Sequence, residues 1–324
     1  MSQITKIVLR VILERIRGKI RREISEEQYG FMQGKGTRNA IYILRMLSER
    51  AIEMQRDLFI CFIDYEKAFD RVRHEDLIEM LQRIGLDGKD LRLITNLYWE
   101  QKAIIEIENN KSNWFEIKRG VRQGCVGSPD LFSFYGENIM REIEEMEGLK
   151  VGGKNIDNIR YADDTALVAD SKEKLQELLT TIQRKSEEHG LNINTGKTEI
   201  LVVSKKAETP RCNIHINNKQ LKQVDKFCYL GSTIKSDGRC DGEIKKRIAE
   251  AKNAFNKMRN FLTNKNISLQ IRKRGVKTFV WSVMTYGAEA WTISNTIWKN
   301  GLRHLKCGVG GGCRRSHGQR ERAT

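Results

Sequence analysis

The sequence predicts an α+β fold with an antiparallel sheet, because segments that read as hairpins alternate with segments that read as helices. An apolar run at 58–63 is typical of a strand that is buried on both faces. Residues 102–119 and 213–231 read as hairpins that turn at Asn-Asn pairs. Around these strands, apolar residues recur at helical spacing, for example over 38–55 and 175–182.

The N-terminal half is predicted to begin with an amphipathic helix. One face of that helix is apolar: Ile4, Val8, Val11, Ile12 and Ile16. A second helix over 38–55 leads into the strand at 58–63, and helical character resumes at 66–72. The next helix ends at Gly85 and has four inward residues: Leu77, Ile78, Leu81 and Ile84. Ser128 and Pro129 are predicted as the N-cap and first residue of a further helix.

The C-terminal half continues the alternation of hairpins and helices. Gly152 and Gly153 turn the chain into a hairpin whose tip lies near 161–164. The helix over 175–182 is closed by His189 and Gly190, and a strand follows at 199–203. From residue 243 a Lys- and Arg-rich helix carries one apolar stripe: Ile244, Ile248, Ala251, Phe255 and Met258. A last helix is predicted from these apolar residues: Val276, Phe279, Val280, Val283 and Met284.

Composition limits the classes of function. The chain has 324 residues, with 58 Lys and Arg against 42 Asp and Glu, and its formal net charge is +16. This length suggests two domains, or one domain with lobes. The excess of positive charge favours a polyanionic partner, nucleic acid above all, although many basic proteins bind none. No apolar run approaches the ~18 residues that a membrane span needs, so we expect no membrane partner.

The cysteines and the N-terminus bear on location. The 7 Cys form no C-x-x-C pair, which is typical of reduced intracellular thiols. Charged residues interrupt the first helix, so it is no secretory signal, although its Arg-rich character also fits a mitochondrial transit peptide. We expect an intracellular protein, nuclear, cytoplasmic or both, that is not secreted.

Three carboxylates indicate a candidate catalytic site. Asp64 ends the apolar strand, and Asp163 and Asp164 lie at a hairpin tip with apolar flanks. A carboxylate at the end of a buried strand is costly unless something such as a divalent cation satisfies it. Three carboxylates from adjacent strands suffice for two Mg²⁺ ions ~3.5–4 Å apart, which can activate an attacking 3′-oxygen and stabilise departing pyrophosphate. The alternative is that the Asp pair merely turns the hairpin.

Several segments, in order, resemble the palm motifs of reverse transcriptases from non-LTR (LINE-type) retrotransposons. They are Phe62–Asp70 for motif A, Arg122–Cys125 with Ser128–Pro129 for B, Tyr161–Asp164 for C, Gly190–Thr198 for D and Tyr229–Thr233 for E. Gln28–Phe31 with Gly34–Thr37 resembles the start of the family's fingers. The resemblance covers about residues 1–295, and several motifs in order are far more specific than any one.

The resemblance implies a right-hand polymerase: an antiparallel palm sheet with packed helices, fingers and a partial helical thumb. The implied divisions are fingers at 1–56, palm at 57–205 with a fingers-type hairpin inserted near 102–119, motif E hairpin at 206–234, partial thumb at 235–296 and a basic, Gly-rich, unstructured tail at 297–324.

The sequence departs from the family pattern in three places. Gly127 stands where the family usually has a larger apolar residue, so we expect a looser loop, a lost packing contact and weaker nucleotide handling. We expect the chain to begin inside the fingers, with no endonuclease domain before it. The tail suggests a frameshift near residue 300. It has a zinc-like composition at His304, Cys307, Cys313 and His317, but their spacing matches no standard zinc knuckle.

The resemblance assigns the catalytic roles. Asp64 and Asp163 are the principal metal ligands, Asp164 is the second carboxylate of motif C, and the carbonyl of Tyr65 is an auxiliary ligand. The implied cofactor is Mg²⁺ as two ions, with Mn²⁺ as an alternative. Lys197 is placed to protonate departing pyrophosphate, and an exposed loop lysine is the alternative.

The resemblance also implies contacts with the incoming nucleotide. Phe69, five residues after Asp64, is the steric gate that excludes a 2′-hydroxyl, or else a core aromatic. Gln123 and Gly124 line the new base pair, where glycine lets backbone and nucleotide approach closely, or else form an ordinary loop. Lys35 and Arg38 are candidate triphosphate contacts in the fingers.

A third group of residues is implied for primer and template. Tyr161 and Gly231 lie near the primer end, and Gly231 allows the tight motif E turn. Lys245, Lys246 and Arg247 contact duplex phosphates without reading sequence, or else form a solvated helix face.

The implied activity is RNA-directed DNA polymerisation, which adds dNTPs to a primer 3′-hydroxyl on an RNA template with a DNA primer. The alternative is an inactive, truncated retrotransposon remnant that at most binds RNA or DNA. An RNA-dependent RNA polymerase is a third candidate, against which Phe69 argues.

Overall fold

The computed structural model of the protein describes residues 3–86, 88–98, 101–108, 110–122, 124–144 and 146–293. The chain divides into two units by its internal contacts. Unit 1 comprises Met1–Ala40, Arg56–Val202 and Lys206–Val224. Unit 2 comprises Ile41–Gln55, Val203–Lys205 and Asp225–Thr324, of which the described part ends at residue 293. The predicted tail at 297–324 lies outside the described residues, and the division into fingers, palm and thumb stays a prediction.

Helices and strands alternate along the chain, which confirms the α+β class. The helices are α1 (Gln3–Arg22), α2 (Thr37–Glu53), α3 (Ala68–Arg71), α4 (His74–Arg83), α5 (Gly88–Tyr98), α6 (Ser128–Met140), α7 (Lys172–Glu188), α8 (Asp241–Lys257), α9 (Arg259–Thr263), α10 (Leu269–Gly275) and α11 (Ser282–Met284). A π-helical segment, Val276–Trp281, joins α10 to α11. None of the helices in the described ranges is long and apolar enough to cross a membrane.

The strands form one main sheet and several hairpins. They are β1 (Leu58–Ile63), β2 (Lys102–Ala103), β3 (Glu106–Ile107), β4 (Asn110–Lys111), β5 (Phe115–Glu116), β6 (Leu149–Val151), β7 (Lys154–Ile156), β8 (Asn158–Tyr161), β9 (Asp164–Ala169), β10 (Glu199–Val203), β11 (His215–Ile216), β12 (Lys219–Gln220), β13 (Lys222–Val224), β14 (Lys226–Tyr229) and β15 (Ser232–Lys235).

The main sheet has the strand order β13-β10-β1-β9-β8. Its centre is antiparallel: β1 pairs with β9, and β9 pairs with β8. Every residue of β1 is buried, as its unbroken apolar run predicts. The prediction of an antiparallel sheet is wrong at one edge, where β13 runs parallel to β10. Parallel pairing arises because the chain makes the short β11–β12 hairpin before it returns to the sheet as β13.

The predicted hairpin at 213–231 is therefore two structures. Asn217 and Asn218, both at positive φ, turn the short β11–β12 hairpin as predicted. The chain then contributes β13 to the main sheet of unit 1. A separate hairpin in unit 2 pairs β14 with β15 and turns at Leu230 and Gly231.

Helix α1 is present, but its buried face is rotated from the predicted one. Among the α1 side chains that the structure describes, which do not include those of the predicted Ile4 and Val8, the buried ones are Leu9, Ile12, Leu13, Ile16 and Ile20. Val11, predicted to face inward, is 59% exposed. Ile12 and Ile16 are both predicted to face inward and buried in the structure, so the predicted face is correct in part. The described side chains place α1 against α6 in the core of unit 1.

The start of α6 lies one residue from the predicted cap. Gly127 occupies the N-cap position, and Ser128 is the first helical residue. The Ser128 hydroxyl donates a hydrogen bond of 2.6 Å to the carbonyl of Arg122, which closes the loop before the helix.

Gly127 does not leave a gap in this loop. The expectation that a packing contact is lost at this position is therefore wrong. Gly127 is buried, and a Cβ placed on it would lie 2.8 Å from Cδ2 of Leu13. The Leu13 side chain, itself buried, therefore fills the space that a larger residue at 127 would occupy. Glycine at this position permits the close packing of α1 against the loop.

Gly127→Leu is expected to destabilise the protein by about 1–3 kcal/mol, because the new side chain must displace Leu13 from a close-packed site. The double variant Leu13→Ala/Gly127→Leu should be more stable than the sum of the single effects predicts, since alanine vacates that space. Urea unfolding followed by circular dichroism measures all three variants. Additivity within about 0.5 kcal/mol would show that Leu13 does not occupy the site.

Unit 2 has its own apolar core. Helix α8 contributes the predicted stripe residues Ile244, Ile248 and Ala251, all of them buried. Residues of the α10–π–α11 segment pack against them, among them Val276, Val280 and Met284. Phe279, predicted on the same apolar face, is 51% exposed.

Candidate active site

Three aspartates lie at one end of the main sheet of unit 1. Asp64 directly follows β1, Asp163 lies in the turn between β8 and β9, and Asp164 begins β9. The register pairs Ile63 with Thr165, so the residue after β1 is placed beside the β8–β9 turn. The structure thus brings together the three carboxylates that the sequence singles out, on two adjacent strands.

The three carboxylates interact electrostatically. Burial and the charges of Asp163 and Asp64 raise the pKa of Asp164 to about 6. Burial also raises the pKa of Asp163, with a further contribution from the charge of Asp64. A bound cation would offset the two neighbouring negative charges, and so would relieve their part of the rise in the Asp164 pKa.

The donor set fits a Mg²⁺ site that is completed by substrate. Among the described residues, no group of three or more His, Cys, Asp or Glu side chains is arranged to hold a metal ion by itself. Mg²⁺ is usually bound by one or two carboxylates together with waters and substrate phosphates, and not by an all-protein cage. Carboxylate oxygens beside a solvent-exposed turn meet that requirement.

The backbone on both sides of Asp64 is fixed by the segment 192–198. The Asp64 N–H donates to Oγ1 of Thr198 at 3.3 Å, and the Asp64 carbonyl accepts from the N–H of Asn194 at 2.8 Å. Lys197 lies in this segment, with Nζ 3.9 Å from Oδ2 of Asp64. The predicted candidate for proton donation is thus exposed but beside the carboxylates.

The side chain of Tyr65 is held by a residue of α7. Its hydroxyl lies 3.1 Å from Oγ of Ser186, and burial raises the pKa of Tyr65 to about 12. The phenol therefore stays neutral over the physiological range. The role of its carbonyl as an auxiliary ligand stays a prediction.

The ring of Phe69 packs at the border of the core of unit 1. Its ring stacks on that of Phe132 in α6, with centroids 4.2 Å apart, and it borders the core of unit 1. The side chain is half-buried, and its carbonyl accepts from Val121 at 2.8 Å. The stacked ring is fixed in orientation, which a steric gate requires and a core aromatic also shows.

Two other predicted nucleotide contacts lie in the loop before α6. Gly124 is exposed and has φ +75°, a conformation that favours glycine. Gln123 lies outside the described residues.

The two basic residues predicted in the fingers differ in placement. Nζ of Lys35 donates to the carbonyl of Glu26 at 2.6 Å and lies 5.0 Å from the centroid of the Tyr29 ring. The ammonium of Lys35 is thus bound within unit 1. The side chain of Arg38 is exposed. Contact with a triphosphate stays a prediction for both.

In unit 2, the turn predicted to support the primer is held by side chains that the sequence did not identify. Leu230 and Gly231 both have positive φ. The hydroxyl of Tyr286 donates to the Leu230 carbonyl at 2.7 Å, and the guanidinium of Arg247 donates to the Gly231 carbonyl. Glu243 accepts from Nε of Arg247 at 2.7 Å and fixes its orientation.

Arg247 therefore differs from its neighbours Lys245 and Lys246, which are exposed. Its side chain is buried, and its guanidinium lies 4.6 Å over the Tyr286 ring. A phosphate contact by Arg247 stays a prediction, while the structure gives the residue a role in supporting the Gly231 turn. Only the spacing of Glu243 and Arg247, four apart on a helix, signalled this in the sequence.

A buried ion pair lies behind the β8–β9 turn and was also missed. Nη2 of Arg160, in β8, is 3.1 Å from Oε2 of Glu137, in α6. The two residues are 2% and 1% exposed. The signal in the sequence was a charged residue between Ile159 and Tyr161, in a strand that is otherwise apolar beside the turn.

Comparison with known proteins gives matches over most of the chain. A family model described as reverse transcriptase (RNA-dependent DNA polymerase) matches residues 1–234. A retrovirus-related Pol polyprotein from the type-1 retrotransposable element R2 of Nasonia vitripennis is 30% identical over 224 residues, which are 66% of this chain and 22% of that protein. The RNA-directed DNA polymerase from mobile element jockey of Drosophila funebris is 26% identical over 307 residues, covering 90% of this chain and 33% of that protein. The chain thus spans between a fifth and a third of these relatives.

Solved structures show the same fold. The apo telomerase from Candida tropicalis superposes with a TM-score of 0.50 at 13% identity, covering 95% of this chain and 54% of that one. Similarity at this identity concerns the fold alone, and it confirms the predicted right-hand polymerase class.

Proposed function

The chain belongs to the reverse transcriptase (RNA-dependent DNA polymerase) family, and we propose that it adds dNTPs to a DNA primer 3′-hydroxyl on an RNA template. The observation that carries this proposal is the placement of Asp64, Asp163 and Asp164 at one end of the main sheet, where burial and the charge of Asp64 raise the pKa values of Asp163 and Asp164. Like charges that lie close together and have shifted pKa values are common at functional sites, where binding or catalysis uses them. The alternative of an inactive remnant is not favoured, because all three carboxylates are present on the strands that gather them.

Divalent metal ions are general to this family, and we propose Mg²⁺ for this chain, as two ions, with Mn²⁺ as an alternative. Asp64 and Asp163 would be the principal ligands, with Asp164 and the carbonyl of Tyr65 in support. When bound, the ions supply Lewis acidity toward the primer hydroxyl and the phosphates. Above about pH 6 the carboxyl group of Asp164 is ionised and available as a ligand.

Other residues of the chain would bind, orient or exclude the nucleotide. Lys197, close to Asp64, would donate a proton to departing pyrophosphate. Phe69, whose ring is held against Phe132, would exclude a ribonucleotide by contact with its 2′-hydroxyl. The loop at Gly124 would let backbone approach the new base pair.

The proposed partners are an RNA template and a DNA primer. A second Candida tropicalis telomerase structure contains a fragment of telomeric RNA and has a TM-score of 0.50 to this chain, at 13% identity and with coverage of 95% and 48%. In this chain, Lys245 and Lys246 are exposed on α8 and available for phosphates. The Gly231 turn and Tyr161 would lie near the primer end. An intracellular location is part of the same proposal.

Primer extension by the purified chain tests the proposal. We expect a labelled DNA primer on an RNA template to be extended with dNTPs and Mg²⁺, and extension to stop with EDTA and resume with excess Mg²⁺. Ribonucleotides should not replace dNTPs, and their use would favour the RNA polymerase alternative. A chain that melts cooperatively and binds template tightly but incorporates nothing would have a binding function only.

A further inference from the structure

A short segment of the chain lies along β8 and reaches the turn that carries Asp163. Gln28 and Arg160 form a parallel bridge. The N–H of Arg160 donates to the carbonyl of Glu27 at 2.9 Å, and the N–H of Tyr29 donates to the carbonyl of Arg160 at 2.8 Å. We call residues 27–30 the clasp. The clasp fixes the backbone of β8 up to the residue before Tyr161.

The side chain of Gln28 extends this contact into the turn. Gln28 is 2% exposed, and its Oε1 accepts two backbone hydrogen bonds. One comes from the N–H of Gly30 at 2.7 Å, and the other from the N–H of Ala162 at 3.0 Å. A single buried acceptor thus joins the clasp to the residue that precedes Asp163.

Ala162 needs such a partner because of its conformation. Its φ is +58°, in the left-handed region that a residue with a Cβ seldom adopts. A backbone in this region persists where the surrounding structure holds it. The N–H of Ala162 donates to Gln28, so this hydrogen bond constrains the Tyr161–Ala162 peptide, from which the chain continues to Asp163.

The clasp also approaches the turn too closely for most residues. A Cβ on Gly30 would lie 2.3 Å from the backbone nitrogen of Ala162 and 2.9 Å from the carbonyl carbon of Tyr161. Backbone atoms cannot move aside as a flexible side chain can. Glycine at position 30 is therefore a condition for the Gln28 contact.

We propose that Gln28 is a positioning residue, which holds the β8–β9 turn in the conformation that presents Asp163 to the reacting groups. This inference rests on the proposed polymerase function. The sequence pattern placed Gln28 only at the start of the fingers, with no connection to the carboxylates. A residue that misplaces a reacting group by a small distance lowers the rate of the chemical step more than it lowers substrate affinity.

Three variants of the full chain separate positioning from simple stability. Gln28→Met has a similar length but lacks the oxygen acceptor. Gln28→Glu keeps an acceptor oxygen in either protonation state. Gln82→Met, at an exposed position on α4, is the matched control for the same exchange of side chains. If Gln28→Met does not melt cooperatively, Gln28→Asn takes its place, because its shorter side chain withdraws the acceptor.

The first measurement does not depend on catalysis. Amide hydrogen exchange at Ala162 should become at least 10-fold faster in Gln28→Met and change less than twofold in Gln82→Met. An unchanged rate at Ala162 would overturn the proposal. This measurement is informative even if the wild-type chain extends no primer, a result that would refute the proposed function and not the contact.

The second measurement is single-nucleotide addition per active molecule, with the active fraction counted from the burst amplitude. For Gln28→Met we expect kcat to fall at least 10-fold, with KM for dNTP and Kd for template–primer within twofold of wild type. Gln28→Glu should keep kcat within threefold. A variant with a lower active fraction but an unchanged kcat per active molecule would show that Gln28 stabilises the fold without positioning Asp163.

Discussion

Asp164→Ala is expected to lower the rate of primer extension by about 10³-fold or more, which in a gel assay is loss of activity. The substitution removes one of three carboxylates that β1 and the β8–β9 turn bring together. A loss of about 4 kcal/mol of charge stabilisation in the transition state corresponds to about this factor. Single-turnover extension on an RNA template measures it.

The same substitution should not lower the stability of the fold. The direction of this effect follows from the pKa of Asp164. Burial and the charges of Asp163 and Asp64 raise the pKa of Asp164 to about 6. Between about pH 4 and 6 the folded chain therefore binds more protons than the unfolded chain. The stability that this group contributes when protonated is lost as the pH rises through about 6. The Asp164→Ala variant has no carboxyl group to ionise at this position, so it does not lose this stability. In EDTA at pH 7 its melting temperature should therefore be no lower than that of the wild type.

Asp170→Ala is the matched control at the opposite end of β9, where Asp170 pairs with Lys174 at 3.0 Å. It should keep extension within about twofold, since exposed ion pairs contribute little. If Asp164→Ala kept more than about a tenth of the wild-type rate while folded, the carboxylate cluster would not be the catalytic centre.

Local sequence patterns predicted those elements whose burial is decided within a few residues. The strands at 58–63 and 199–203 have the predicted bounds, because the apolar residues at 58–63 and 200–203 are all buried. Gly190, at positive φ, follows α7 as predicted, since glycine adopts the left-handed conformation at low cost. The parallel pairing of β13 with β10 was not predictable in this way, because the order of strands is decided by contacts between distant segments.

The candidate site shows the same division. The convergence of Asp64 with Asp163 and Asp164 could be predicted, because Asp64 ends a recognisable strand and the other two lie at the tip of a recognisable hairpin. The contact of Gln28 with Ala162 could not, since it joins a side chain to a backbone amide 134 positions away. The burial of Arg247 could not be predicted either. A helix with several Lys and Arg residues does not indicate which of these side chains donates to a buried acceptor.

Glu137→Ala has the largest expected effect on stability, because it leaves the buried Arg160 without its countercharge. The pair is 3.1 Å apart, and both residues are almost fully buried. Removal of one partner from a buried ion pair costs about 3–5 kcal/mol, most of it the penalty for an unpaired charge. Urea unfolding followed by circular dichroism should show this loss. Glu188→Ala, which breaks exposed pairs with Arg184 and Lys185, should lower the stability far less than Glu137→Ala does.

The double variant Glu137→Met/Arg160→Met decides whether the charge or the packing causes the loss. With both charges replaced by apolar side chains of similar length, the unpaired charge is absent, and stability should recover by at least about 2 kcal/mol over Glu137→Ala. Arg160 also donates to Oγ of Ser25 at 2.5 Å, and this bond is lost in the double variant, so recovery should be incomplete. A double variant as unstable as Glu137→Ala would mean that the guanidinium and not the pairing holds β8 in place. Since β8 leads directly into the turn of Asp163, either result shows whether the buried charge pair or the packing around it holds the strand that carries this turn.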